Sequence, residues 1–172
     1  VRLLAFMAFG DEPKPGASEV LAVLQARGLR TVMLSGDSQN AAEAMACRLG
    51  LRSENGEVIA GVLPGEKAKQ LAQLRKGGHR VAMVGDGIND APALAAADVG
   101  IAMGTGTDVA MHAAGITLMR GDLALVAAAL DISHRTVAKI RQNLFWAFIY
   151  NVAGIALAAL GQLNPMLAGA AM

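Results

Sequence analysis

Formal charge is missing from the end of this sequence: after Arg141 the last 31 residues contain no aspartate, glutamate, lysine or arginine. Charge is sparse elsewhere too, at 17% of residues, aromatic side chains make up only 3%, and there is one cysteine. A lone Cys47 excludes an internal disulfide and fits a reducing compartment. Set in the helical-looking run Ala44-Met45-Ala46-Cys47-Arg48-Leu49, it is expected to be small core filler. With a net charge of +1 and basic residues alternating with acidic ones, the chain gives no footing for nucleic acid as a partner. His79, His112 and His134 lack a ligand-like spacing and receive no metal role.

What the chain has in quantity is apolar surface, with 54% hydrophobic residues and a mean hydropathy of +0.43. Apolar runs at residues 3–9, 31–34, 81–84, 99–103 and 116–119, each bounded by Gly, Pro or charge, have the length of buried strands. Between them Ala17, Val20, Leu21 and Leu24 repeat at helical spacing, as Ala68, Leu71 and Ala72 do in part. Connections of that length suit right-handed βαβ crossovers and not hairpins. The expected fold class is therefore α/β, a doubly wound parallel sheet that binds ligands beyond the carboxyl ends of its strands.

The uncharged end follows a different pattern. A helix is predicted over about 122–141, with Leu123, Val126, Leu130, Val137 and Ile140 apolar. Residues 143–163 as a helix rise about 31 Å, the thickness of a bilayer's hydrocarbon core. Arg135, Lys139 and Arg141 stand just before that stretch and put the preceding domain on the cytoplasmic side. Asn164-Pro165 reads as a turn and residues 166–172 as the start of a second membrane helix. The expected organisation is an α/β domain over 1–121, a linking helix over 122–142, a transmembrane helix over 143–163 and a second beginning at 166. Both ends read as lying inside continuing elements, so a longer polypeptide is expected.

Three short segments carry chemistry. Gly85-Asp86-Gly87-Ile88-Asn89-Asp90 puts two carboxylates and an amide at a strand end, and hard oxygen ligands suit Mg²⁺. Ser35-Gly36-Asp37 offers a hydroxyl and backbone N–H groups at a helix start, where phosphate is readily held; Ser38 or Asp37 would also serve there as an N-cap. Lys67, in Pro64-Gly65-Glu66-Lys67, opens the next helix.

In order and spacing these segments resemble the haloacid-dehalogenase-like phosphotransferases and, more closely, the P-type ATPases. In that family a Thr/Ser-Gly-Asp loop, a Pro-x-x-Lys and a Gly-Asp-Gly-x-Asn-Asp motif surround an aspartyl-phosphate. The resemblance implies that residues 1–121 are the later part of a phosphorylation domain. It implies that Asp86 coordinates Mg²⁺ with Asp90 in support, that Lys67 and Asn89 bind phosphoryl oxygens, and that Ser35 and the Gly36 amide hold the same group in the loop that includes Asp37. A transferred phosphoryl group needs positioning and charge neutralisation, which such a set supplies. The family's nucleophile sits in an Asp-Lys-Thr-Gly-Thr string that these residues do not contain. ATP-driven turnover is thus expected only together with the rest of the polypeptide, including nucleotide-binding and actuator domains and further membrane helices.

Within the apolar stretch, Tyr150-Asn151 resembles the polar pair of the copper-transporting branch of the heavy-metal P-type ATPases. The run from Leu163 to Met172 resembles the start of that branch's next helix, with Met172 as the methionine ligand of Cu(I), and soft thioethers suit that ion. Ag(I) would be hard to tell apart; the zinc and cadmium branch tends to carry a lysine here, and none follows Lys139. The resemblance further implies an integral protein of a plasma or bacterial inner membrane, a lipid environment and a copper chaperone as a possible partner. A membrane-tethered phosphatase of the same superfamily is the alternative. Gly104-Thr105-Gly106-Thr107-Asp108 reads as a structural stretch, and the segment Asp11 to Lys14 as a hinge or domain contact.

Overall fold

The computed structural model describes residues 11–104 and 107–161, and the chain divides into two compact units after Ala127. The strand expected at 3–9, the turn at Asn164-Pro165 and the helix start with Met166 and Met172 lie outside the described residues.

In the first unit strands and helices alternate. Helix α1 (Ala17–Ala26) is followed by β1 (Met33–Leu34), α2 (Gln39–Leu49), β2 (Val58–Ile59), α3 (Lys67–Leu74) and β3 (Ala82–Gly85). Then come α4 (Ala91–Ala96), β4 (Val99–Met103), α5 (Asp108–Ala113) and β5 (Ile116–Leu118). Every strand pairing among the described residues is parallel, as helical crossovers require, with Met33 opposite Val58, Ala82 opposite Val99 and Ile101 opposite Ile116. Among the described residues the strands form two sheets, β1-β2 and β3-β4-β5. The short β2 was not anticipated: the three apolar residues between Glu57 and Gly61 are too few to register as a run.

Among the described residues, two apolar clusters help to hold these layers. Ala42 and Ala46 of α2 pack with Leu51 and Val58, and Leu94 of α4 packs with Ala102 and Ala110. Small residues dominate because the helices lie close to the strands. A Cβ at Gly100 would stand 2.5 Å from the Leu94 carbonyl oxygen, so only glycine fits there. β4 is buried from Gly100 onward, as the middle strand of its sheet.

The core-filler role expected of Cys47 is corrected by the structure, in which its side chain is exposed. Ala42 and Ala46, four residues apart, take the inward stripe of α2, and Cys47 falls one position, about 100°, round the helix.

Helix α6 (Ala124–Ala159) runs unbroken for 36 residues, about 54 Å, through the stretches read separately as a linking helix and a membrane helix. Asp122 starts it by accepting the Ala124 N–H at 2.8 Å, and Gly161, at φ 69°, closes the turn that follows. It contains a window long and apolar enough to cross a bilayer, none of it buried within the described protein. Leu144, Phe145, Trp146, Phe148 and Ile155 are all exposed, an arrangement that water disfavours and hydrocarbon suits.

Candidate functional site

The carboxyl ends of β1 and β3 present the loops read as chemical from the sequence. Ser35 follows β1 directly: its N–H donates to the Ile59 carbonyl at 2.9 Å, and its own carbonyl accepts from Val62 at 3.0 Å. These bonds tie the loop to the segment that leads into Pro64–Glu66, a single 3₁₀ turn in front of Lys67. A second 3₁₀ turn, Ile88–Asp90, follows the Gly85-Asp86-Gly87 corner after β3 and packs against the first.

Lys67 and Asp90, 23 positions apart, meet where these turns touch. The Lys67 Nζ lies 2.7 Å from Asp90 Oδ1, with side-chain exposures of 16% and 13%. The other oxygen, Oδ2, accepts the Gly87 N–H at 3.3 Å, and the Asp90 N–H returns a bond to the Gly87 carbonyl at 3.0 Å. Asp90 is the single charged residue buried among those described. Gly85 makes room for it, since a Cβ there would come within 2.7 Å of the Asp90 Cβ. With both oxygens engaged, Asp90 is built as a fixed anion that aims a lysine.

Asp86 differs. Its main-chain carbonyl is fixed by the Thr107 N–H at 3.0 Å, while its carboxylate stays about half exposed. That carboxylate has a partner which the sequence reading had set aside: Lys14 Nζ lies 3.2 Å from Oδ2. The available signal was the Pro13-Lys14-Pro15 string, because prolines on both sides stiffen the backbone that carries the lysine.

Ser35 and Asp37 form a closed local pair. The Ser35 hydroxyl donates to Asp37 Oδ2 at 2.6 Å and accepts the Asp37 N–H at 3.1 Å. Ser38 takes the N-cap position of α2 without a side-chain bond. Among the described residues no acceptor takes the N–H of Gly36, which is exposed at the loop tip, as is Asn89 in its own turn.

Mg²⁺ is held typically by one or two carboxylates, completed by water and phosphate oxygens. One half-exposed carboxylate, Asp86, presented at a strand end four residues before the lysine-bound Asp90, fits that pattern. Among the described residues no three His, Cys, Asp or Glu side chains converge, so a protein-built cage for a transition metal is not formed by them.

The polar pair Tyr150-Asn151 lies within α6. Asn151 donates its side-chain amide to the Ala147 carbonyl one turn earlier at 2.8 Å, which satisfies the donor within its own helix. Tyr150 is partly exposed.

Residues 1–98 match the sequence profile of the haloacid dehalogenase-like hydrolases. Over 171 residues the chain is 53% identical to a copper-exporting P-type ATPase of Staphylococcus haemolyticus strain JCSC1435, covering 99% of this chain and 21% of that protein. A copper-exporting P-type ATPase of Staphylococcus aureus strain bovine RF122 / ET3-1 is 52% identical over 170 residues with the same coverage. The chain thus spans about a fifth of the length of these curated relatives. Among solved structures, a zinc-transporting PIB-type ATPase in the E2.Pi state superposes with a TM-score of 0.84 at 39% identity, over 94% of this chain and 26% of the other. The catalytic domain of the CPx-ATPase CopB-B matches with a TM-score of 0.61 at 33% identity, over 68% of this chain and 45% of that one.

Proposed function

The chain belongs to the haloacid dehalogenase-like hydrolase family, and from that membership we propose that it is the segment of a copper(I)-exporting P-type ATPase that handles an aspartyl-phosphate and continues into the membrane. One observation carries the reading: a single chain joins the Lys67–Asp90 and Asp86 arrangement to a helix whose apolar window is exposed along its length. A soluble phosphatase has use for the first and none for the second.

In this reading ATP phosphorylates an aspartate elsewhere in the polypeptide, and residues of this chain receive the phosphoryl group. Lys67, oriented by Asp90, supplies positive charge to its oxygens, which is where charge must be neutralised in phosphoryl transfer. The exposed Gly36 N–H and the Asn89 amide add hydrogen bonds, and the Ser35 hydroxyl turns from Asp37 toward the same group. Asp86 would hold Mg²⁺, with Asp90 in support, where the ion would supply charge neutralisation for the phosphoryl oxygens. Nucleotide-binding and actuator domains of the same polypeptide deliver ATP and hydrolytic water. The phosphorylation domain is cytoplasmic, on the side of the exposed Arg135, Lys139 and Arg141, and the membrane is a plasma or bacterial inner membrane.

Tyr150, Asn151 and Met172 contribute to the path of Cu(I), which a copper chaperone would supply. The identity to copper exporters exceeds that to the zinc-transporting structure, at 53% against 39%, and no lysine follows Lys139. The zinc likeness keeps Zn²⁺ or Cd²⁺ as a second reading, with Ag(I) close to Cu(I).

The test is ATPase activity of the intact pump in lipid, titrated with Cu(I), Ag(I), Zn²⁺ and Cd²⁺ under reducing conditions, beside a Tyr150→Phe/Asn151→Ala variant. Stimulation by Cu(I) or Ag(I) that falls at least about tenfold in the variant is the expected outcome, a loss equivalent to about 1.4 kcal/mol. Stimulation by Zn²⁺ or Cd²⁺ alone would overturn the ion, and hydrolysis indifferent to all four would favour the tethered phosphatase.

A further inference from the structure

We propose that Lys14 is the resident counter-ion of Asp86, occupying the carboxylate until a divalent cation displaces it and thereby lowering the affinity of the site for that cation. The inference rests on the reading of Asp86 as the Mg²⁺ ligand and adds a competitor to it.

The geometry points to Lys14 for three reasons. Its ammonium lies 3.2 Å from Asp86 Oδ2, so its positive charge already neutralises the carboxylate and opposes a second cation beside it. The lysine backbone is held in place: its carbonyl accepts the Ala17 N–H at 3.1 Å, prolines flank it, and Arg48 Nη1 reaches the Asp11 carbonyl at 3.3 Å. A pinned backbone keeps the ammonium within reach, and the four-carbon stem lets it leave. Finally, the side-chain exposures of 48% and 53% leave this pair in contact with water, unlike Lys67–Asp90, so exchange requires no opening of the core.

Asp86 meanwhile is ready for the exchange, because the Thr107 N–H fixes its main chain whichever cation is present. Among the described residues no partner stands on Oδ1. Lys67 is not an alternative competitor, being committed to Asp90 at 2.7 Å.

The measurement is Mn²⁺ binding to the intact pump, free of nucleotide and copper, followed by the electron paramagnetic resonance signal of unbound Mn²⁺. Wild type is compared with Lys14→Met, Lys14→Arg and Asp86→Asn. Lys14→Met is expected to tighten the Asp86-dependent site about threefold to tenfold, the range an exposed ion pair and like-charge repulsion support. Lys14→Arg, which keeps the charge, should stay within about twofold of wild type, and the gain in Lys14→Met should shrink as salt is raised. Unchanged or weaker Mn²⁺ binding in Lys14→Met overturns the proposal while leaving the pump reading intact. Mn²⁺ binding that ignores Asp86→Asn overturns both this proposal and the metal role of Asp86, whereas loss of copper-stimulated turnover in the lipid assay bears on the ion alone.

Discussion

Two lysine–carboxylate pairs sit at the same strand ends and behave as different devices. In Lys67–Asp90 the carboxylate is buried, both its oxygens are engaged and the contact is 2.7 Å. In Lys14–Asp86 both partners are about half in water and the contact is longer, 3.2 Å. A desolvated pair is costly to break because either survivor is left as an uncompensated charge, while an exposed pair gives each partner water to fall back on. Chemistry of one type thus yields a fixed fixture in one place and an exchangeable contact in the other. The difference comes from burial and from the second bond to Gly87.

The largest effect should come from Lys67→Met, which strands Asp90 without its cation. A destabilisation of about 3 kcal/mol is expected in thermal unfolding of the purified pump, with Lys67→Met/Asp90→Leu recovering most of it. Lys14→Met should move the same midpoint little, and equal shifts for the two lysines would erase the contrast. Gly85→Ala tests the fixed pair without touching a charge. The added methyl meets the Asp90 side chain at 2.7 Å, so a loss of about 1–3 kcal/mol is expected by the same readout.

The smallest effect sharpens the comparison with an intermediate case. Asp98 accepts from the Val81 N–H at 2.9 Å and from Arg75 Nη2 at 2.8 Å, linking the end of α3 to the start of β3. The Val81 backbone bond holds its carboxyl below the usual value; desolvation opposes it, and Arg75 and Arg80 add to the lowering. Its folded pKa therefore lies below the unfolded one. The stabilisation is complete above the ordinary carboxylate range and fades as pH falls through that range to the folded value. Asp98→Asn should lower the neutral part of a midpoint-against-pH curve and flatten its acid limb, the two curves converging at low pH. An unaltered acid limb would remove Asp98 from the account.

Much of this site was legible because its parts are local. Gly85 to Asp90 and Ser35 to Asp37 are continuous strings whose glycines and carboxylates mark a strand-end loop, and the strands at 99–103 and 116–118 stand out as apolar runs. The pairing of Lys67 with Asp90 was not legible from spacing, since 23 positions and a helix and strand intervene. Lys14 was harder still: nothing in a string of prolines and charges says which carboxylate, 72 positions on, its ammonium will meet. Cys47 was misplaced by composition, because an alanine-rich helix hides which stripe faces inward until the neighbouring Leu51 and Val58 are in place. The strand Val58–Ile59 is set by its partner β1 and not by its own two residues.

The short helix α4 has a mechanical consequence. At one end the Asp90 side chain is wedged over Gly85, and at the other the Leu94 carbonyl rests on Gly100, both closer than any side chain allows. About 6 Å of helical rise separates these abutments, with no compliant side-chain layer beneath either. Neither contact can close further, so the spacing of α4 from β3 and β4 is set by glycine backbone at both places.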